Sequence, residues 1–229
     1  MKIGVIPDIH GCPAWKENVK KMKDVDKIVF LGDIFDSFNK EERGLNALEN
    51  AREIFEFVKE TNSDFLIGNH EFENYLYRRG TCSGFQSNFY SQYHDLLLQN
   101  LSLIKVAVEY DGWVFSHAGI SKEWMEGVLE VCRGDKEKPI DFLNKTFKEK
   151  PVYFAYNITD YSGYGNSVNQ TPLWIRPEAL IESHYFNRQV VGHTEMDKIT
   201  TIRKNGLTLI LTDTPTHDGY YILDTEAKC

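Results

Sequence analysis

A chain of 229 residues, 41% hydrophobic and 26% charged, carries enough apolar material for one sizeable core and predicts a single α/β domain over 1–229. Its net charge of −8 and pI near 5.4 exclude a broad nucleic-acid surface and leave room only for a local basic pocket. No apolar run approaches the roughly 20 residues of a membrane span, the N-terminal run is too short for a signal peptide, and the cysteines form no CxxC pair, so a soluble cytoplasmic protein is expected.

Residues 2–7 predict a first strand, and Asp8-Ile9-His10-Gly11 follows directly. Pro13 suits a first helical turn, and 15–22 carries a basic helical pattern. A second strand over 27–31 ends in Gly32-Asp33-Ile34-Phe35-Asp36. Residues 41–60 set Leu45, Leu48, Ala51, Ile54, Phe55 and Val58 at helical spacing, predicting one long amphipathic helix. The run Phe65-Leu66-Ile67 reads as a third strand, closed by Gly68-Asn69-His70-Glu71. This alternation of strands and helices is the one that builds a parallel sheet.

Beyond it the pattern changes. Residues 72–79 and 85–100 predict helices broken near Gly80 and Gly84. Residues 103–110 and 113–115 are β-rich and join through the hairpin pair Asp111-Gly112, after which comes Ser116-His117-Ala118-Gly119. Helices over 122–131 and 140–148 lead into 153–172, rich in Tyr, Asn, Ser and Gly and read as a long loop of the kind that often carries function. Strands over 188–191, 199–203, 207–211 and 220–223 close the chain; the first ends in Gly192-His193-Thr194, and Asn205-Gly206 makes a hairpin turn. Parallel units followed by antiparallel hairpins predict an α/β chain with two packed sheets covered by helices.

Five of these strands end in potential metal ligands: Asp8 and His10, then Asp33, Asn69, His117 and His193. Each has another use when taken singly. An aspartate caps a helix, an asparagine holds a left-handed turn, and a histidine after a strand is commonly just hydrogen-bonded. Repeated beside a glycine at the same end of every strand, the residues instead converge on one site. Two carboxylates, an amide oxygen and three imidazoles, without thiolate, suit Mn²⁺, Fe or Zn²⁺. Two such ions roughly 3.5–4 Å apart share a bridging carboxylate and turn water into a nucleophile near neutral pH.

In order and context, Asp8-Ile9-His10-Gly11, Gly32-Asp33-Ile34-Phe35-Asp36, Gly68-Asn69-His70-Glu71, Ser116-His117-Ala118-Gly119 and Gly192-His193-Thr194 resemble the motifs of the calcineurin-like metallophosphoesterases. They look closest to the phosphoprotein-phosphatase branch, which includes bacterial and phage Ser/Thr phosphatases and diadenosine tetraphosphatases. The resemblance implies a four-layer α/β/β/α sandwich of two mixed sheets flanked by helices. It implies two divalent ions, Mn²⁺ as first choice: Asp8 and His10 on the first, Asp33 bridging both, and Asn69, His117 and His193 on the second. His70 would be the general acid on the leaving oxygen, with Asp36 holding it protonated and oriented. Glu71 would support the backbone or a ligand.

The chain departs from that branch in two places. Arg-Gly usually follows the Gly-Asp-x-x-Asp motif, whereas this chain has Ser37-Phe38. Arg176 is the first candidate to replace the missing phosphate clamp, and Arg78 and Arg79 come next. Where other family members carry a further metal-binding histidine the chain has Glu195, and water in that ligand position is the favoured reading. Asp213 and His217 are read as structural. The expected reaction is hydrolysis of a phosphomonoester by direct attack of water activated between the ions, on a phosphoprotein (Ser/Thr) substrate first. A nucleotide or dinucleoside-polyphosphate hydrolase is the alternative, with the 153–174 aromatics stacking a base; a non-catalytic scaffold of the same fold is the remote one. The sequence sets no oligomeric state.

Overall fold

A computed structural model describes residues 1–77, 82–134, 137–159, 162 and 164–227. Its first sheet has the order β10-β1-β2-β3-β4. There β1 (Lys2–Ile6), β2 (Lys27–Phe30), β3 (Ser63–Leu66) and β4 (Ile104–Lys105) run parallel, and β10 (Tyr221–Asp224) pairs antiparallel with β1. The second sheet has the order β5-β6-β7-β9-β8. In it β5 (Ala107–Tyr110) and β6 (Trp113–Ser116) form a hairpin, β6, β7 (Arg188–Val191) and β9 (Leu207–Leu211) are parallel, and β8 (Thr200–Lys204) returns antiparallel on β9. Two mixed sheets flanked by helices are what the motifs imply.

Strand periodicity explains the layering. In β2, Val29 and, just beyond it, Leu31 face the second sheet and join Ile3, Val5, Leu66, Phe115, Val190 and Ile210 in the core between the sheets. Ile28 and Phe30 point the other way, onto α2 (Leu45–Glu60) with Leu48, Ala51, Ile54 and Phe55. The inner strands β1, β2, β3, β6, β7 and β9 are buried on both faces, which is why their runs are continuously apolar rather than alternating, whereas the edge strands β8 and β10 are largely open. Each fully buried large apolar side chain contributes about 1.5–3 kcal/mol. The second sheet is covered by α4 (Lys122–Cys132), α5 (Pro139–Glu149) and, over β7 and β9, α6 (Pro177–Glu182). The remaining helices are α1 (Trp15–Lys21) and α3 (Tyr90–Gln99).

The structure redraws several predicted elements. The 41–60 helix is interrupted: a 3₁₀ turn over Lys40–Glu42 precedes Gly44, whose φ of +61° stops the helix from starting before Leu45. The β-rich 103–110 stretch is two strands in different sheets, and the chain crosses between them at Val106. Asn144 makes this crossing possible by accepting from the N–H of Val106 (2.7 Å) and Ala107 (3.3 Å) and donating to Ala107 O (2.8 Å). The helix expected over 72–79 is a π-type helix over His70–Leu76. The 85–100 helix begins only at Tyr90, behind a 3₁₀ turn over Ser87–Phe89. Sequence reading missed α6, although Pro177 sits at its first position.

Candidate active site

The loops leaving β1, β2, β3 and β7 at one end of the sandwich open into a cavity of about 680 Å³, with fully buried His117 from the end of β6 behind it. Its wall includes Asp8, His10, Asp33, Asp36, Asn69, His70, Arg176, His193, Glu195, Asp213 and His217. Among the described residues, left-handed backbone outside glycine concentrates here: His10 (φ +43°), Asp33 (+48°), Asp36 (+68°), His193 (+62°) and His217 (+50°). Such conformations cost of order 1–3 kcal/mol each and mark positions where the fold spends stability on aiming a side chain. The glycines beside them are steric necessities. A Cβ on Gly68 would overlap Asp33 Oδ1, and one on Gly192 would overlap Asp8 Oδ1.

His117 donates its Nδ1 proton to Leu31 O (2.8 Å), and His193 donates from Nε2 to Trp174 O (3.2 Å). These bonds fix the tautomers and leave His117 Nε2 and His193 Nδ1 as bare lone pairs, 3.2 Å apart. Asn69 Oδ1 faces both, at 2.8 and 3.0 Å, because its amide nitrogen is turned to Cys82 Sγ (3.3 Å). Asp33 Oδ2 closes the group 3.4 Å from His117 Nε2. Burial lowers the pKa of His117; burial, competition with the His117 ring for a proton and the Arg176 charge lower that of His193 further, so both rings are neutral. Four lone-pair atoms face one another with no proton among them, an arrangement that a cation makes favourable. The donor set fits a divalent ion.

Asp33 also belongs to a second group: its oxygen and ring nitrogens of His10 and His70 lie within 4.8 Å of one another. His10 donates from Nδ1 to Phe35 O (2.8 Å) and turns Nε2 to Asp33 Oδ2 at 3.8 Å. Burial holds this imidazole down at about 4, so its Nε2 is a free lone pair too. Asp33 is the residue common to both groups. Burial would raise its carboxyl, but His117, His70 and His10 outweigh that as the rings take up protons with falling pH, and they hold it well below the usual carboxylate range. Asp8 sits on the cavity wall, outside both groups, with both oxygens 3.0 Å from the His193 N–H. Burial and the charges of Asp213 and Asp33 push its pKa well up, an excess of buried negative charge that a cation would relieve.

His70 is bonded through Nδ1 to Asp36 Oδ2 (3.0 Å) and presents Nε2 4.0 Å from Asp33 Oδ2. Burial works against its charge, but Asp33 and Asp36 more than compensate and raise it to about 9. Asp36 is itself held by Asn74 Nδ2 (2.6 Å) and by the Tyr75 hydroxyl. The π-type winding puts His70, Asn74 and Tyr75 on one face, where they share this carboxylate. Glu71 is fully buried and accepts from the N–H groups of Asp33 (2.7 Å), Ile34 (2.8 Å), Phe35 (3.3 Å) and Gly68 (3.2 Å). It therefore shapes the turn that carries Asp33. A model of the calcineurin-like phosphoesterase domain matches residues 1–195, from β1 to just past His193.

The chain belongs to the calcineurin-like phosphoesterase family.

It is therefore a metal-dependent hydrolase of phosphoric esters, acting on phosphorylated substrates. Solved structures share the fold. A cold-active protein-tyrosine phosphatase of a psychrophilic Shewanella species superposes with a TM-score of 0.59 at 18% identity, covering 97% of this chain and 75% of that one. A protein serine/threonine phosphatase from Saccharomyces cerevisiae gives 0.54 at 16% identity, covering 95% and 68%. No curated protein sequence matches the chain.

Within this family site, Arg176 lines the cavity and is tied down, donating from Nε to Tyr164 O (2.9 Å) and from Nη1 to His193 O and Thr194 Oγ1 (3.0 Å each). Arg78 and Arg79 lie outside the described residues. Ser37 donates to Glu42 (2.7 Å) and Phe38 projects into solvent, 75% exposed, so the turn after Asp36 supplies no cation. Glu195 lines the cavity but joins neither ligand group among the described residues. Sequence reasoning missed Asn74, Tyr75 and Cys82, and it left Asp213 and His217 to structural duty although both line the cavity. No helix is long and apolar enough to cross a membrane among the described residues.

Proposed function

We propose that the chain is a two-ion phosphatase of the phosphoprotein-phosphatase branch, working as a single cytoplasmic domain on phosphomonoesters, with phosphoserine and phosphothreonine side chains as the preferred class. The observation that carries this reading is the His70–Asp36 pair beside two donor groups that share Asp33. Asp8 and His10 would serve one ion, Asn69, His117 and His193 the other, and Asp33 both, with Mn²⁺ the best match to this oxygen- and nitrogen-rich set. When bound, the ions supply an activated water and positive charge for the phosphoryl oxygens. His70 then delivers a proton from Nε2 to the leaving oxygen while Asp36 keeps the ring turned and charged. Arg176, anchored on three sides, binds a phosphoryl oxygen with its remaining N–H groups.

A second reading, hydrolysis of nucleotides or dinucleoside polyphosphates, is favoured by Tyr164 and Trp174 on the cavity wall, which offer faces for a base. Rates with Mn²⁺ on a phosphoserine peptide and on diadenosine tetraphosphate, measured side by side, separate the two. Faster turnover of the peptide is expected. Folded protein that hydrolyses no phosphate ester with Mn²⁺, Fe²⁺ or Zn²⁺ would sink both readings and leave a scaffold.

A further inference from the structure

The His10 ring touches two other imidazoles: His70, edge-on with centroids 4.8 Å apart, and His217, tilted by 59° at 4.7 Å. Each of these two carries a buried aspartate on Nδ1, Asp36 at 3.0 Å for His70 and Asp213 at 3.3 Å for His217. The cavity thus holds two imidazole–carboxylate pairs of like construction. One comes from the ends of β2 and β3, the other from the loop between β9 and β10. Asp213 is 1% exposed, and among the described residues His217 is the one side chain that bonds its carboxylate. A buried aspartate with so few donors is costly to keep, so a local structural role explains it poorly. His217 is also aimed at a cost: its φ is +50°, and its N–H is held by Thr214 O at 3.0 Å. The ring keeps 20% of its surface open, and no described residue bonds its Nε2.

A phosphoryl group in this cavity presents several oxygens that need partners. His70 is committed to the leaving oxygen, and Arg176 has spent Nε and Nη1 on the protein. The Ser37-Phe38 turn offers nothing, because Ser37 bonds Glu42 and Phe38 has no donor. We propose that His217, braced by Asp213, is a phosphate-binding residue that contacts a phosphoryl oxygen through Nε2 and fills the place left by that turn. The hydrogen bond forms whether the proton arrives on the ring or on a hydrogen phosphate. The proposal rests on the phosphatase reading for its substrate but not for its test.

The test is calorimetric titration of inorganic phosphate into Mn²⁺-loaded wild type, His217→Ala and His217→Gln, with a separate Mn²⁺ titration and melting curve for each. His217→Ala should weaken phosphate binding and raise KM for an aryl phosphate by about 10- to 100-fold, the worth of one hydrogen bond to a charged group. Mn²⁺ stoichiometry should not move, Tm should fall only by the cost of leaving Asp213 without this partner, with the protein still folded at the assay temperature, and His217→Gln should recover part of both losses through its amide N–H. Unchanged phosphate affinity in a folded His217→Ala protein overturns the proposal. So does the loss of one Mn²⁺ equivalent, which would make the ring an ion ligand, or a wild type that binds no phosphate. An active wild type with an indifferent His217→Ala refutes this inference alone; a phosphate-binding wild type that hydrolyses nothing refutes the phosphatase reading alone.

Discussion

On one side of Asp33, the donor atoms of Asn69, His117 and His193 stand 2.8, 3.0 and 3.2 Å apart; on the other, His10 Nε2 is 3.8 Å from the shared carboxylate and Asp8 faces a backbone N–H. The tight half draws on both sheets. His117 and His193 leave the second sheet, while Asn69 and the carbonyl of Leu31 come from the first. The side-chain donors of the open half, Asp8, His10 and Asp33, all leave the first sheet, where the loop carbonyl of Phe35 anchors His10, and the second sheet reaches them through the His193 N–H on Asp8. An ion site spanning two rigid layers is preorganised by the core between them; one built on loops of a single layer closes only when its ion arrives. A titration with Mn²⁺ should therefore show two unequal steps, the tight half filling first.

The strongest way to break this comparison is Asp33→Asn, which touches both halves. We expect turnover to fall on the order of 10⁴-fold and both Mn²⁺ steps to weaken together, because a shared ligand cannot be removed from one ion only. Survival of one full-affinity step would show that the halves are independent. His70→Ala should cost about 10²- to 10³-fold in kcat, the range for a lost general acid, with both Mn²⁺ steps retained in calorimetry. A lost step would make His70 an ion ligand instead.

A sharper contrast comes from His117→Ala against His10→Ala. The first should weaken the tighter step by about 100-fold, and the second should leave that step within about threefold and weaken the other. The reverse pattern would assign the preorganised half wrongly. The smallest effect is expected away from the ions, at Asp64, which joins the two sheets by bonding Lys105 Nζ (2.6 Å) in the first sheet and the Tyr110 hydroxyl in the second. Burial would raise its pKa, but these bonds hold it below the usual carboxylate value. Its stabilisation is therefore complete above the unfolded pKa of about 3.9 and is lost as pH falls through the lower folded value. Asp64→Asn should lower stability by about 1–3 kcal/mol at neutral pH, roughly 3–9 °C in Tm. The gap to wild type should close below about pH 4, with Mn²⁺ binding unaltered. A gap independent of pH would assign the loss to packing.

Much of the donor cluster was legible because its residues obey one rule, a polar residue beside glycine where an apolar strand ends. Gly68 and Gly192 show why: they stand where a side chain would collide with Asp33 and Asp8. His217 escapes the rule. It follows Thr214-Pro215-Thr216 in a loop, and only the fold brings its ring against His10. Tyr75 was invisible for another reason. Ordinary helical spacing groups Asn74 with His70 at four residues but leaves out Tyr75 at five, whereas a π-type turn brings in both. The two-sheet plan followed from periodicity, but the crossing at Val106 did not, since an apolar run reads alike whether one sheet or two receives it.

The apolar layer shared by Val29, Leu31, Leu66, Phe115 and Val190 has a consequence for protein engineering. Because donors on the two sheets meet across it, its thickness acts as a caliper on the gap that receives the ion. Overpacking this layer to gain thermostability would widen the caliper by tenths of an ångström and leave every ligand in the sequence unchanged. Selection for heat resistance through these positions is thereby also selection on the identity and affinity of the ion.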